Sequence, residues 1–267
     1  MLKRQPVVAG RFYPGDAKTL ADTVNRLASG GPKEKAAAII APHAGYMYSG
    51  AVAGHIYSSV EIPGTVIVIG PNHTGLGKRV ALMTSGAWVT PLGTVEVDSV
   101  FADALLKSSR LIIADREAHE SEHSIEVQLP FIRSINKDAL IVPLTVMNAN
   151  AKECLELGKA IADTIKELGK DVLIVASSDM NHYESDAVTR RKDKEAIAEV
   201  LKLDADGLLT VTSKKDITMC GVIPAAIAIN AAKLLGATSA RVVDYATSGD
   251  VSKDYAQVVG YAGILIK

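Results

Sequence analysis

Four short runs of apolar residues are spread along the chain, and each ends abruptly in turn-forming or polar residues. They occupy residues 36–41, 65–70, 139–146 and 172–177. Their length and their content of β-branched residues predict strands rather than helices. Because the runs are almost continuously apolar, we expect both faces of these strands to be covered by other parts of the protein.

Helical patterns alternate with these strands. They cover residues 50–60, 98–108, 151–168 and 186–201. The last third of the chain adds a helix over 222–235, with Gly236 as its stop, and two strands over 240–245 and 257–266. This alternation predicts an α/β fold with a central mixed or mostly parallel sheet flanked by helices. No repeat or linker divides the chain, so we expect one domain over residues 1–267.

Composition and charge argue against nucleic acids and membranes as partners of this protein. The net charge of −1 argues against nucleic acid as a partner, since such binding relies on clustered lysine and arginine. No apolar run approaches the roughly 20 residues that a membrane helix needs, and the N-terminal residues lack the apolar stretch of a signal peptide. We therefore expect a cytoplasmic protein without a membrane partner. With only two cysteines, a disulfide framework is not expected to hold the fold together.

Three of the six histidines follow predicted strands directly. His43 comes after the first run, His73 after the second and His182 after the fourth. Open α/β sheets bind ligands at the carboxyl ends of their strands, where these residues fall. A single loop histidine is more often solvated or hydrogen-bonded than functional, but three in equivalent loops predict a shared metal site, because imidazole is a common ligand of transition metals.

The two cysteines have different sequence environments. Cys220 lies just before the apolar helix predicted over 222–235, where the helix dipole favours a thiolate, which is a strong metal ligand. Cys154 lies within the amphipathic pattern of 151–168 and is expected to be a small buried apolar residue. The alternative for Cys220 is that it, too, is a small buried apolar residue that binds no metal.

A competing motif is the HExxH pattern formed by His119, Glu120 and His123, which is typical of zinc peptidases. Its acidic surroundings and the nearby Pro130 disfavour the apolar helix that such a site needs. We therefore predict that His119 and His123 do not form a peptidase site. His123 is kept as a candidate residue near the main pocket, with helix capping or a core hydrogen bond as the alternative.

Seven blocks of sequence, in order from end to end, together resemble the Memo family. They are VAGRFYPG, PHAGYMYSG, GPNH, EHSIEVQLPF, SSDMNHY, MCG and TSGDVSKDYAQVVGYAGI. The resemblance implies the fold of class III extradiol dioxygenases, which are non-haem iron enzymes that cleave catechol rings. It also implies a metal held by two histidines and a cysteine, which correspond by motif to His43, His73 and Cys220, with Asp179 and His182 lining the same pocket.

The third ligand implied by the resemblance differs from that of the dioxygenases, which use two histidines and a carboxylate. A thiolate shifts the preference toward softer or borderline ions such as copper or zinc and alters the redox potential of bound iron. The expected cofactor is iron or copper, and zinc is the alternative. We expect an oxidoreductase in which His182 acts as general acid or base, oriented by Asp179, with His123 nearby.

The main alternative is a non-catalytic adaptor that binds metal or peptide, as the resemblance implies for animal members of the family. Capture of a phosphorylated peptide calls for a basic cluster, and the loops after the strands offer only Lys78 and Arg79. A small-molecule substrate is therefore favoured over a peptide.

Overall fold

The computed structural model describes residues 2–267. Its strands are β1 Lys3–Arg4, β2 Ala38–Ala41, β3 Thr65–Pro71, β4 Val80–Leu82, β5 Ala87–Thr90, β6 Gly93–Glu96, β7 Ile113–Ala114, β8 Leu140–Val146, β9 Val172–Ser177, β10 His182–Glu184, β11 Ala240–Thr247 and β12 Val258–Ile266. Its helices are α1 Ala17–Leu27, α2 Tyr46–Ser58, α3 Ser99–Ser108, α4 Glu117–Glu120, α5 Leu129–Ile135, α6 Ala151–Leu168, α7 Asp186–Leu201, α8 Ala205–Lys214, α9 Val222–Leu234 and α10 Gly249–Ser252. A 3-10 turn at Glu126–Gln128 precedes α5.

A nine-stranded mixed sheet forms the centre, in the order β10-β12-β2-β9-β3-β8-β4-β7, with β11 paired to β12. Strands β2, β9, β3 and β8 run parallel to their neighbours in this order. Strand β12 is antiparallel to β2, and β4 is antiparallel to β8. The parallel centre brings the carboxyl ends of β2, β9 and β3 to one edge, where the candidate site lies.

The central strands consist of residues that suit a sheet buried on both faces. Every residue of β2, β3 and β9 is buried, as their unbroken apolar runs predict. Helix α9 packs on β2, β3 and β9 and also against α6, while α2 packs on β2, β11 and β12. Gly158 permits the close approach of α6 to α9, because a Cβ there would lie 2.6 Å from Cβ of Asn230.

The fold confirms the predicted α/β class with a mixed sheet flanked by helices. Helices α6 and α7 have the predicted bounds, and Asp98 caps α3 by accepting a hydrogen bond from the Phe101 amide at 3.0 Å. Helix α2 begins four residues before the predicted start, at Tyr46, because the Gly45 carbonyl oxygen already accepts hydrogen bonds from the amides of Tyr48 and Ser49. Gly236 follows α9 with a φ of +100°, as expected of a helix stop.

The sequence patterns did not indicate a second, three-stranded sheet, in which β5 pairs with both β1 and β6. Its first strand carries Arg4, a fully buried arginine that forms an ion pair with buried Glu126. The guanidinium also donates to the carbonyl oxygens of His119 and Glu122, at 3.1 and 2.6 Å, and lies over the ring of Trp88. These contacts fix residues 119–126 in place, and this segment borders the candidate site.

Among residues 2–267, none of the helices combines the length and apolar character that crossing a bilayer requires.

Candidate metal centre

The loops that leave β2, β3 and β9 carry His43, His73 and Asp179. Each of these residues lies two positions beyond the end of its strand. Since the three strands are parallel neighbours, their loops meet at one edge of the sheet. The structure therefore brings His43 and His73, which the strand-exit pattern singled out, to a common edge.

Three imidazoles meet at this edge, from His43, His73 and His123. One ring nitrogen from each lies within 4.8 Å of those of the other two. The rings of His73 and His123 stack with their centroids 4.7 Å apart, and His43 stands edge-on to both, at 5.3 and 5.5 Å. This arrangement is a group of donors able to hold one metal ion.

The hydrogen bonds of His43 determine which of its nitrogens is free. Its Nδ1 lies 2.8 Å from Oγ of Ser177, and this hydroxyl donates its only proton to the Ser124 carbonyl oxygen at 2.6 Å. Gln128 donates to the same hydroxyl at 2.8 Å. The hydroxyl must therefore accept from His43, so Nδ1 carries the proton and Nε2 keeps an unprotonated lone pair, which faces Sγ of Cys220.

Glu122 fixes His73 in the same way. Its two carboxylate oxygens accept from the His73 ring Nδ1 at 2.9 Å and from the His73 amide at 2.6 Å. Burial raises the pKa of Glu122, but hydrogen bonds from His73 and from the Ser124 amide outweigh it and bring the pKa to about 2. The carboxylate is ionised at neutral pH, so Nδ1 of His73 is the donor and Nε2 is free for a metal.

The environment favours the neutral form of the His43 and His123 imidazoles, which is the form that binds a metal. Burial, and then the positive charges of His123 and His73, hold the pKa of His43 well below its usual range. Burial likewise lowers the pKa of His123, against the opposing effect of the Glu122 charge. Both rings are therefore available as ligands at neutral pH.

Cys220 lies beside His43, but its Sγ is not part of the group of donor atoms that lie within 4.8 Å of one another. Its Sγ is 3.2 Å from Nε2 of His43 and accepts from the Asp179 amide at 3.3 Å. Gly221 lets this loop approach the end of β9, because a Cβ there would lie 2.3 Å from the Ser177 carbonyl oxygen. Burial, and then the charge of Asp179, raise the pKa of the Cys220 thiol, opposite to the direction expected from the helix start alone. Its role as a metal ligand stays a prediction.

Asp179 and His182 have separate partners. Asp179 is buried and accepts from the amides of His43 and Ala44, at 2.8 and 3.3 Å, and burial raises its pKa. His182 is oriented by Thr218 rather than by Asp179, because its Nδ1 lies 2.8 Å from the Thr218 carbonyl oxygen. Asp179 thus shapes the loop that carries His43, and a catalytic role for either residue stays a prediction.

The HExxH pattern does not form a peptidase helix. Helix α4 ends at Glu120, so His123 lies outside it. His119 is fully buried, with Nε2 3.2 Å from the Ala81 carbonyl oxygen and Nδ1 2.9 Å from Oγ1 of Thr145. Both of its nitrogens have partners in the core, whereas His123 joins the cluster with His43 and His73.

The sequence predictions missed four features of this site. His123 was placed near the pocket but not among the metal ligands, and Glu122, Ser177 and Gln128 were not recognised as groups that orient the rings. The strand-exit pattern could not find the first two, because residues 122–123 lie on a segment between α4 and the 3-10 turn. Ser177 is the last residue of β9 and was within reach of that argument.

The fold and the site define an α/β protein with a cluster of imidazoles at the carboxyl edge of a mixed sheet. The chain belongs to the Memo family: the family model described as Memo-like protein matches residues 4–265. Its similarity to family members extends over nearly the whole length of both chains.

Curated relatives carry the name MEMO1 family protein. One from Methanopyrus kandleri is 42% identical, covering 100% of this chain and 99% of the relative. Others from Aquifex aeolicus and Pyrobaculum arsenaticum are 43% and 44% identical, each covering 99% of both chains. The solved structure of an uncharacterized protein from Escherichia coli K12 shares the fold with a TM-score of 0.53, at 12% identity, over 85% of this chain and 98% of that one.

Proposed function

We propose that this chain binds a transition metal through His43, His73 and His123 and uses it in an oxidoreductase reaction. The observation that carries the proposal is the proximity of the three rings, whose ligand nitrogens lie within 4.8 Å of one another. Imidazole suits iron, copper and zinc. Iron or copper is the favoured ion, because zinc has no redox chemistry of its own.

The chemistry of the donor set supports this proposal. Nδ1 of His43 and Nδ1 of His73 are each held by a hydrogen bond, which leaves Nε2 of both rings as the donor atom. Such outer contacts orient ligands and are characteristic of built metal sites. Three protein donors also leave coordination positions for a substrate, which is the arrangement of catalytic rather than structural sites.

Cys220 is proposed as an additional donor for softer ions such as copper. Two ligands of one tetrahedral ion, a nitrogen at roughly 2.1 Å and a sulfur at roughly 2.3 Å, stand roughly 3.6 Å apart. The separation of 3.2 Å between Sγ of Cys220 and Nε2 of His43 is compatible with that geometry. The arrangement of two histidines and one cysteine implied by the sequence resemblance is therefore retained alongside the three imidazoles.

When bound, a metal of this kind supplies Lewis-acid and redox chemistry. The protein's own acid or base is proposed to be His182, whose Nδ1 is committed to the Thr218 carbonyl oxygen, leaving Nε2 to exchange a proton with a substrate. Its charge contributes to the pKa of both His43 and Asp179, which supports its position close to the cluster. Asp179 holds the His43 loop through backbone amides.

Oxygen consumption tests the reaction class. Protein purified without a chelating tag and loaded with iron or copper is assayed against a panel of catechols. His182→Gln is expected to lower turnover by about 10²–10⁴-fold while leaving the metal content unchanged, since it removes only the acid or base. His55→Gln is the matched control, because His55 is an exposed histidine paired with Asp244 outside the cluster. If neither the iron-loaded nor the copper-loaded protein consumes oxygen, the oxidoreductase proposal is wrong.

A further inference from the structure

A cavity of about 620 Å³ lies on one side of Phe12, whose ring contacts His123 of the histidine cluster. It is bounded by the loop at residues 10–14 and by side chains of α1 and α2, and Val251 of α10 also lines it. Most of its walls are aromatic or apolar. Met47 and Val251, both among its lining residues, are 71% and 46% exposed, so the cavity opens to solvent on this side.

One aromatic side chain separates this cavity from the histidine cluster. Phe12 lines the cavity, and its ring stands edge-on to His123 with the centroids 5.1 Å apart. Tyr46, another lining residue, donates its amide to the Phe12 carbonyl oxygen at 2.7 Å and its hydroxyl to the Val127 carbonyl oxygen at 2.8 Å. These bonds tie the cavity wall to the segment that presents His123.

The charged side chains of the cavity have one sign. Arg11 and Arg26 line it, and no aspartate or glutamate does. Over residues 2–267, neither of these arginines forms an ion pair. Five other arginines of the chain do have carboxylate partners, namely Arg4, Arg79, Arg116, Arg190 and Arg241. The guanidinium groups of Arg11 and Arg26 therefore remain available to an anion.

We propose that this cavity binds a small monocarboxylate with an apolar body. Arginine matches a carboxylate through paired hydrogen bonds, and the apolar and aromatic walls would take up the rest of the molecule. The volume is within the usual range for small-molecule sites. Binding itself needs no metal. Only the further step, in which the carboxylate anchors a substrate whose other end meets the histidine cluster, rests on the proposed function.

A titration of metal-free protein with 3-phenylpropionate tests the site, with uncharged 3-phenylpropanamide as the matched probe. The carboxylate is expected to bind about tenfold more tightly than the amide, since a charge-assisted hydrogen bond contributes about that factor. Arg11→Gln and Arg26→Gln should each weaken carboxylate binding by about tenfold. Arg110→Gln is the control, because Arg110 is exposed, forms no ion pair over residues 2–267 and does not line the cavity.

A steric variant gives a second test that removes no charge. Ala51 lines the cavity from the exposed side of α2, so Ala51→Trp should fill the space and abolish binding of the carboxylate. Equal affinities for the carboxylate and the amide would overturn the proposal. So would unchanged carboxylate binding in the Arg11→Gln and Arg26→Gln variants.

The same titration in metal-loaded protein separates this proposal from the metal proposal. Binding in chelator-treated protein, lost in the arginine variants, supports the cavity even where the histidine cluster takes up no ion. Binding only in metal-loaded protein, insensitive to both arginine substitutions, would mean that the carboxylate coordinates the ion directly, and it would overturn the cavity proposal.

Discussion

Nδ1 of His73 lies 2.9 Å from Oε1 of Glu122, while the other oxygen of the same carboxylate accepts from the His73 amide. The buried carboxylate therefore fixes both the ring and the backbone of His73. It also accepts from the amides of His123 and Ser124, at 3.0 and 2.9 Å. One side chain thus organises two of the three imidazoles.

Glu122→Gln is expected to weaken metal binding about 10–100-fold, because an amide no longer fixes the tautomer of His73 as a carboxylate does. Competition with a chelator of known affinity measures the effect. The control is Glu120→Gln, which removes a half-exposed carboxylate paired with Arg116. Equal metal affinity in the Glu122→Gln variant and the parent would show that Glu122 does not orient His73 for metal binding.

The ion pair of Arg4 and Glu126 is expected to stabilise the fold and to support the site. Glu126 also accepts from the amides of Val7 and Val8 and from the Tyr13 hydroxyl. Arg4→Met leaves this carboxylate buried without its counter-charge, so the free energy of unfolding should fall by about 3–5 kcal/mol. Denaturant unfolding measures it, and Arg110→Met is the surface control. A loss below about 1 kcal/mol would contradict the role assigned to this pair.

Asp193 gives the protein a pH-dependent stability away from the metal site. It is fully buried, accepting from the Tyr245 hydroxyl at 2.7 Å and the Asn181 amide at 2.9 Å, and burial raises its pKa from 3.8 to about 6. Between these values the folded state keeps a proton that the unfolded state has lost. The free energy of unfolding should therefore fall as pH rises from about 4 to about 6.

Asp193→Asn removes this titration while retaining a hydrogen-bonding side chain. We expect a smaller decrease of the unfolding free energy over that pH interval, and greater stability at pH 7 by an amount on the order of 1–3 kcal/mol. Chemical unfolding at several pH values measures both, with exposed Asp138→Asn as the control. An Asp193→Asn variant whose stability follows the same pH curve as the parent would rule out this group as the cause.

The two cysteines are expected to respond differently to replacement by serine. Cys220→Ser should weaken retention of copper and zinc more than of harder ions, because a serine hydroxyl stays protonated near neutral pH. Cys154→Ser should leave metal binding unchanged and lower stability by about 1–3 kcal/mol, because Cys154 is fully buried in α6 among apolar residues. Metal titration and thermal unfolding separate the two effects. Unchanged metal affinity in Cys220→Ser would exclude the thiol as a ligand.

The parts of this protein that sequence predicts well are those that local pattern determines. Continuous apolar runs indicated the buried strands β3 and β9, and residues just beyond strands indicated His43 and His73. The sequence did not predict that His123 belongs to the cluster, because residues distant in sequence hold the segment 119–126 in place. Arg4, 118 residues away from Glu122, binds that residue's carbonyl oxygen. The pattern of apolar and polar residues within 119–126 cannot indicate a contact with a residue so far away in the sequence.

The short strands of the second sheet were missed for a related reason. Strand β1 has two residues and β5 has four, so neither is long enough to show an alternating pattern. Their pairing depends on the burial of Arg4 and Trp88, which packing of the whole chain decides. The raised pKa of Cys220 is likewise a property of the folded environment, since burial outweighs the local effect of the helix start.

Metal stoichiometry in single histidine variants tests whether His43, His73 and His123 together form a metal centre. The parent protein, stripped with a chelator and titrated with iron(II), copper(II) or zinc(II), should bind one ion per chain. His43→Ala, His73→Ala and His123→Ala should each lose affinity by at least about tenfold, while His55→Ala should match the parent. Retention of full affinity in all three cluster variants, or an equal loss in His55→Ala, would contradict a metal centre built on these imidazoles.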